Sequence, residues 1–489
     1  MKEGYIPQSE RKKILLITDD IRTHSGVAQV GREFIVHSCH HYNFCCVAGA
    51  VKHPDKGKRF DMNQAMSDMA GIKDAYVSLF PTDGYGNIEF LRSIIEIESP
   101  DAIFLITDPR YYDWLFRNEN EFRTKIPIIY LNIWDDVPAP VYNKEFYESC
   151  DALLGISKQT VNINKMVLGD KAEGKVIEYV PHGLNTEFFH PIDDSNEKFN
   201  IFKNKLFSGK KYDFVLLFNS RNIRRKSIMD LLLAWKVFTD SLPKAKAEKT
   251  SLLLKTEAID NNGTDLPRVI EYFFSDSNGN VNVLDHKLST EDMGYLYNVA
   301  DGTALLSSNE GWGLSLTESL LCGVPIIANV TGGMQDQMRF VDEKGNWFTP
   351  SKDIPSNHRG TYKTCGEWAI PMFPKTRSLK GSPPTPYIYA SQVDIEDAGL
   401  ALLKCYKLGR EEIQRRGLIG RKWLLSEETR MTARGMGQNF IDNINILFNK
   451  WEPVEKYNVE KVEDKLSLYN PTSVQYTPEF KQKIKEVLQ

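Results

Sequence analysis

Ten short apolar runs recur along the chain, and they limit its fold more than any other feature. Five lie in the first part: "KKILLITDD" (12–20), "DAIFLITD" (101–108), "IPIIYLNIW" (126–134), "ALLGIS" (152–157) and "KVIEYVPHG" (175–183). Five follow: "DFVLLFNSR" (213–221), "TSLLLKTEA" (250–258), "VNVLDHK" (281–287), "GTALLSSNEG" (302–311) and "PIIANVTGG" (325–333). Their apolar residues are continuous rather than alternating, the pattern of strands covered on both faces. Amphipathic segments of helical length separate them. One, within "HSGVAQVGREFIVHS", is read as a helix starting after Gly26, and another places Ile228, Leu231, Leu232, Trp235 and Phe238 on one stripe. This alternation predicts parallel sheets with helices on both sides.

The period is lost in the polar stretch "LNTEFFHPIDDSNEKFN" (184–200), read as a linker between two such series. The expected fold is therefore α/β, with two doubly wound Rossmann-like domains facing a central cleft at the carboxyl ends of their strands. Residues 1–190 form the first domain and 191–430 the second, with 351–390, rich in Gly and Pro, as an irregular insertion. Residues 431–489 are read as C-terminal helices and a charged tail packing back toward the N-terminal domain. A length of 489 residues suits this division.

Charge and cysteine usage exclude some classes. A net charge of −4 argues against a dedicated polyanion binder. Seven cysteines without a Cys-x-x-Cys pair favour neither a zinc site nor a disulfide framework, and a reducing cytosol is the simpler reading. "MKEGYIPQSERKK" lacks an apolar signal core, and no apolar run approaches the ~20 residues a transmembrane helix needs. A soluble cytoplasmic protein is expected.

The chemistry concentrates in "NEGWGLSLTES" (309–319), where Glu310 follows a strand and Glu318, with seven residues between the two, lies inside a short helix. Gly311 and Gly313 let the backbone turn and approach a ligand without a β-carbon. The helix beginning near Leu314 presents unpaired N–H groups suited to phosphate or sugar hydroxyls. Glu318 shares a face with Leu314, Leu321 and Cys322, so it is either an edge residue of the apolar stripe or a buried ligand contact.

"NEGWGLSLTESLLCGVPIIA" closely resembles the Glu-(x)7-Glu segment of the family 4 retaining glycosyltransferases, enzymes of the GT-B fold that use nucleotide-activated sugars. "SRNIRRKSIMDLLLAW" resembles that family's Arg/Lys element, "LSTEDMGYLYNVADGTALLSS" the stretch leading into the Glu segment, and "VPHGLNTEFFHP" the interdomain linker. The likeness is good over most of 180–345 and loose in the N-terminal domain.

The resemblance implies retaining transfer of a hexosyl or pentosyl group from a nucleotide sugar, a UDP- or GDP-sugar first, to an acceptor hydroxyl. Arg221 and Lys226 would hold the leaving diphosphate. Glu310 would contact the donor sugar and Glu318 the ribose, with Gly311, Trp312, Gly313 and Leu314 contributing around the donor. Gly26 corresponds to the glycine turn facing the diphosphate. His286 to Leu288 fall at the base pocket, although His286 reads equally well as a surface loop residue. No Asp-x-Asp is found, so no metal or other cofactor is expected. Where relatives carry an N-domain histidine, this chain has "NIWDDVPAP"; Asp135 or Asp136 would orient the acceptor, or else the pair is a solvated helix start. Asp108, Arg110 and Tyr111 are further acceptor-side candidates.

The acceptor itself is open: a glycan, a lipid carrier, a small molecule or a hydroxymethylated DNA base. Residues 1–190 carry 21 Lys and Arg against 27 Asp and Glu, a net of −6, which disfavours a broad phosphate-binding face. A nucleotide-sugar epimerase of related architecture and a non-catalytic nucleotide-sugar binding module are the competing readings. Oligomeric state is not legible.

Overall fold

A computed structural model describes residues 4–455 except 24, 276–279, 355, 356 and 359, together with 482, 485 and 486. The charged tail expected beyond 455 lies almost wholly outside the described residues. The described parts of 1–183, 351–355 and 432–489 form one compact unit, and those of 184–350 and 356–431 a second.

In the first unit, β1 (Lys13–Asp19), β2 (Asn43–Gly49), β3 (Phe60–Asp61), β4 (Val77–Pro81), β5 (Ala102–Ile106), β6 (Ile128–Asn132), β7 (Ala152–Gly155) and β8 (Val176–Tyr179) build one sheet. Its order is β3-β4-β2-β1-β5-β6-β7-β8, and every pairing but β3–β4 is parallel. Ile14, Leu15, Leu16 and Ile17 of β1 are all fully buried, as continuous apolar strands covered on both faces must be. The helix Gly26–Ser38 starts where Ser25 Oγ accepts from the Ala28 amide at 3.1 Å. Its Phe34 packs edge-on against Phe104 of β5 at 5.4 Å and against Phe440 at 5.1 Å. Phe440 lies in the helix Ala433–Lys450, which thus contributes to the core of the first unit.

The second unit holds β9 (Phe214–Asn219), β10 (Thr250–Lys255), β11 (Asn280–Leu284), β12 (Gly302–Leu305), β13 (Ile326–Asn329) and β14 (Ala369–Met372). They form a fully parallel sheet in the order β11-β10-β9-β12-β13-β14. The helix Ile228–Asp240 buries the stripe read from the sequence, Ile228, Leu231, Leu232, Trp235 and Phe238.

Two expectations need correction. The segment 184–200 is not wholly a linker, because Asn196 caps a helix, Glu197–Leu206, through its side chain and the Phe199 amide. Nor is 351–390 simply irregular. It carries β14, and then a hairpin of β15 (Thr376–Ser382) and β16 (Thr385–Gln392). Its prolines sit where strands tolerate them: Pro371 on an edge strand, and Pro383 and Pro384 in the hairpin turn.

Candidate functional site

In the second unit, the loop from Leu306 to Gly313 leaves the carboxyl end of β12 and is held on every side by backbone partners. Ser308 N donates to Arg225 O at 2.8 Å, and Gly333 N to Glu310 O at 3.1 Å. Asn329, at the end of β13 and fully buried, donates through Nδ2 to Ser307 O (2.9 Å) and to Ser391 O (2.8 Å) of the hairpin. The hairpin adds Ser391 N to Ser308 O at 2.8 Å, and Asn309 Nδ2 donates to Tyr389 O at 3.1 Å. The region expected to be irregular therefore braces the loop that carries Glu310.

Glu310 is 7% exposed. The chain leaves β9, turns through a short 3-10 segment, Arg224–Lys226, and closes on Ser227 in the left-handed region at φ 50°. That turn aims two consecutive cations at the Glu310 carboxylate. Arg225 Nη1 donates to Oε2 at 3.1 Å and to Asn309 O at 3.0 Å, and Lys226 Nζ donates to the same Oε2. Burial alone would raise this carboxyl, but the Arg225 and Lys226 charges outweigh it and hold it well below the usual carboxylate range. The result is a cluster of two cations and one anion with net charge +1 at the strand carboxyl edge, in which Lys226 and Glu310 are buried and Arg225 is half-buried.

Arg221 is placed differently from the expectation that it would work beside Lys226. Its side chain is 60% exposed and its Nε donates to Asp260 Oδ2 at 2.9 Å. Arg225, which the sequence reading passed over, stands with Lys226 and Glu310 instead. Within the 3-10 turn Arg224–Lys226, Arg225 and Lys226 both reach this carboxylate while Arg224 is exposed.

Glu318 lies on the helix Leu314–Leu321 and is half-buried. Tyr297 Oη donates to its Oε2, and Asn219 Nδ2 donates to the same oxygen at 3.3 Å and to Tyr297 Oη at 2.8 Å. Burial pushes its carboxyl up, and these two hydrogen bonds only partly offset that. Among the described residues no donor reaches Oε1, so this carboxylate keeps an oxygen for a further hydroxyl. Tyr297 and Asn219 were not singled out from sequence; "GYLYN" and the polar end of "VLLFN" are the traces they leave.

Gly313 takes φ +86°, and a Cβ on Gly333 would land on the Gly311 carbonyl oxygen. Trp312 is a wedge rather than an exposed contact surface. It is 2% exposed, its Nε1 donates to Thr317 Oγ1 at 3.0 Å, and its carbonyl accepts from Gln337 Nε2 at 2.8 Å. Leu314 opens the helix, half-buried. His286 is exposed and Leu288 half-buried in the loop after β11.

The remaining candidates belong to the first unit. Gly26 is the first residue of its helix, and Ser25 before it donates to Asp19 Oδ2 at 2.5 Å. Asp108 caps the 3-10 turn Pro109–Tyr112 and is bound in bidentate fashion by Arg110, whose guanidinium lies 5.5 Å from the Trp134 ring centre. Tyr111 is 50% exposed. Asp135 is half-buried, whereas Asp136 is fully buried and accepts from Val137 N at 2.8 Å and Gln159 Nε2 at 2.5 Å. Asp136 thus fixes the loop after β6, and no helix starts at these aspartates, which corrects the helix-start reading of the pair.

A family model described as "Glycosyl transferases group 1" matches residues 275–356, the span that holds Glu310 and Glu318 but not Arg221, Arg225 or Lys226. No curated protein matches the chain. Among solved structures, a glycosyltransferase from Rickettsia africae superposes with TM-score 0.60 at 11% identity, covering 90% of this chain and 99% of the other. HepE from Anabaena, crystallised with UDP and glucose, gives 0.59 at 12% identity over 89% and 100%. Sucrose-phosphate synthase from Thermosynechococcus elongatus gives 0.61 at 13% identity over 90% and 100%. At these identities the likeness carries the fold: two Rossmann-like units of the GT-B type.

Proposed function

We propose that the chain is a retaining glycosyltransferase that moves a sugar from a nucleotide-sugar donor to an acceptor hydroxyl without a metal ion. The observation that carries this reading is the Arg225–Lys226–Glu310 cluster, set beside a glycine turn and a helix start at the carboxyl edge of the second sheet. The family-model match over the same loop supports it.

In the reaction, the bond between the donor anomeric carbon and its phosphate oxygen breaks, and a bond from that carbon to the acceptor oxygen forms on the same face. The acceptor proton passes to the departing phosphate, and a nucleoside diphosphate leaves. Negative charge grows on that phosphate, and fixed cations in a water-poor site stabilise it without reorganising. Lys226 and Arg225 supply the charge, Arg225 offering paired donors. Arg221, mobile enough at 60% exposure to leave Asp260, adds a third cation once an anion is bound.

Glu310 holds the cations in place before the donor arrives and accepts a donor-sugar hydroxyl through its carboxylate. Glu318 accepts ribose hydroxyls on Oε1, its other oxygen being fixed by Tyr297 and Asn219. Neither glutamate acts as a proton carrier. Uridine is the first choice of base, because HepE, which shares the fold, holds UDP and glucose.

A thermal-shift screen of nucleotide sugars tests the reading. A UDP- or GDP-sugar is expected to raise the melting temperature, with transfer or slow hydrolysis unaffected by EDTA. No shift with any nucleotide, or activity that EDTA abolishes, would refute it.

A further inference from the structure

The first unit carries an aromatic platform. Tyr85, in the loop after β4, and Tyr111, in the turn after β5, stack with ring centres 4.2 Å apart and planes 3° apart. Fully buried Tyr112 meets Tyr85 edge-on at 5.5 Å, which gives the stack a fixed base. Tyr111 is 50% exposed, so with one face on Tyr85 its other face meets solvent. Parallel stacking orients that outer face and leaves it little freedom, an arrangement suited to receiving a flat or ring-shaped ligand.

β1 ends next to the base of the stack, since a Cβ on Gly49 would lie 3.4 Å from the Tyr112 hydroxyl and 3.6 Å from the Thr18 carbonyl; its last residue, Asp19, is half-buried and held through Oδ2 by Ser25 Oγ at 2.5 Å. Among the described residues no donor reaches its Oδ1. Asp19 and Asp108 are close enough that both carboxylates help push the Tyr85 hydroxyl up, behind the effect of burial. Nearby cations are neutralised: Arg110 is clasped by Asp108, and Lys56 by Asp83 at 2.7 Å. The platform is thus aromatic and acid-lined.

Taking the glycosyl-transfer reading as its basis, we infer that the acceptor is a saccharide, whose ring lays a C–H face on Tyr111 and donates a hydroxyl to Asp19 Oδ1. The electron-rich face of an aromatic ring attracts the weakly positive C–H bonds of a pyranose, and a carboxylate is the strongest side-chain acceptor for its hydroxyls. A nucleobase would also stack, but its strand brings phosphates to a face where Arg110 and Lys56 are already paired with carboxylates and to a segment, 1–190, with a net of −6.

The test uses the full chain with saturating UDP and saturation-transfer NMR on methyl α-glucoside, methyl α-mannoside and maltose. A short single-stranded DNA carrying 5-hydroxymethylcytosine serves as the rival probe. At least one glycoside is expected to bind with saturation concentrated on the protons of one ring face. Tyr111→Ala should weaken it about tenfold while Tyr111→Phe keeps it, and Asp19→Asn should weaken it about threefold. UDP shifts of all variants should match the parent, which also shows that they fold. Absence of a UDP shift in the parent would overturn the donor reading on which this one rests. Glycosides that fail with the UDP shift intact, or binding of the DNA probe that Tyr111→Ala abolishes, would overturn this inference alone.

Discussion

Replacing Glu310 by Gln tests the cluster at its centre. The substitution keeps the shape of the side chain but removes the anion shared by Arg225 and Lys226. The Lys226 side chain is 10% exposed, so its ammonium is poorly rehydrated, and breaking a buried pair from one side costs about 3–5 kcal/mol. Two features reduce the loss: the amide oxygen still accepts a hydrogen bond, and Arg225, 35% exposed, reaches water. The expected cost to the second unit is therefore about 3 kcal/mol at neutral pH. The folded carboxyl lies below its unfolded value, so its contribution is present above the ordinary carboxylate range and fades as pH falls toward the folded value. The gap between parent and variant should accordingly narrow below about pH 4. Without Glu310 the site is left at net +2, and a nucleoside diphosphate supplies the missing anion. UDP at a hundred times its dissociation constant should restore about 2.7 kcal/mol. Denaturant melts at neutral pH and about pH 3.5, with and without UDP, read all three effects on the transition of the second unit. Equal melting at neutral pH, or a gap as wide in acid as at neutrality, would refute the reasoning.

Arg225→Ala should lower kcat about a hundredfold, against less than about tenfold for Arg221→Ala. Steady-state kinetics decides, and the reverse ranking would return the leading role to Arg221. Because burial raises the Glu318 carboxyl, the stability tied to its protonated form is lost as pH rises through the folded value. Glu318→Gln should thus be as stable as the parent or up to about 1 kcal/mol better at neutral pH, yet bind UDP about tenfold more weakly by calorimetry. Gly333→Ala forces a β-carbon onto the Gly311 carbonyl and should cost about 1–3 kcal/mol in a melt while weakening donor binding. Asp136→Asn should destabilise the first unit by about 2 kcal/mol with kcat/KM nearly unchanged; a large kinetic loss in a stable variant would make Asp136 a participant.

The parallel-sheet character was legible because β1, β5, β6, β9, β10, β12 and β13 are continuous apolar runs, which burial on both faces requires. β2 and β4 were passed over: "NFCCVAG" and "VSLFP" mix small, polar and sulfur-bearing residues, and only their place between other strands makes them fully buried. β14 and the hairpin were hidden because Pro and Gly mark both loops and strand edges, and which of these applies is settled by tertiary pairing. In the site, Glu310 and Glu318 announced themselves through glycine spacing and a helical face. Arg225 did not, since a run such as "RNIRRK" does not tell which of its cations a 3-10 turn will direct inward. Tyr297 and Asn219 come from separate strand and helix ends and meet Glu318 only through the packing of the second unit. Asp136 looked catalytic because an acidic pair after a strand end reads alike whether it faces a ligand or the core.

The meeting of Phe34 and Phe104 with Phe440 has a consequence in time. At about 5–20 residues per second, a ribosome needs roughly 15–70 s to travel from residue 104 to residue 440. Throughout that interval the helix Gly26–Ser38 has no partner for one side of its buried face, although the last strand of its sheet, β8, has been made by residue 179, early in the interval. The first unit is thus begun early and finished late, and a nascent chain stalled or cut before Ala433 would leave its opening domain, not its last one, with an unsealed core.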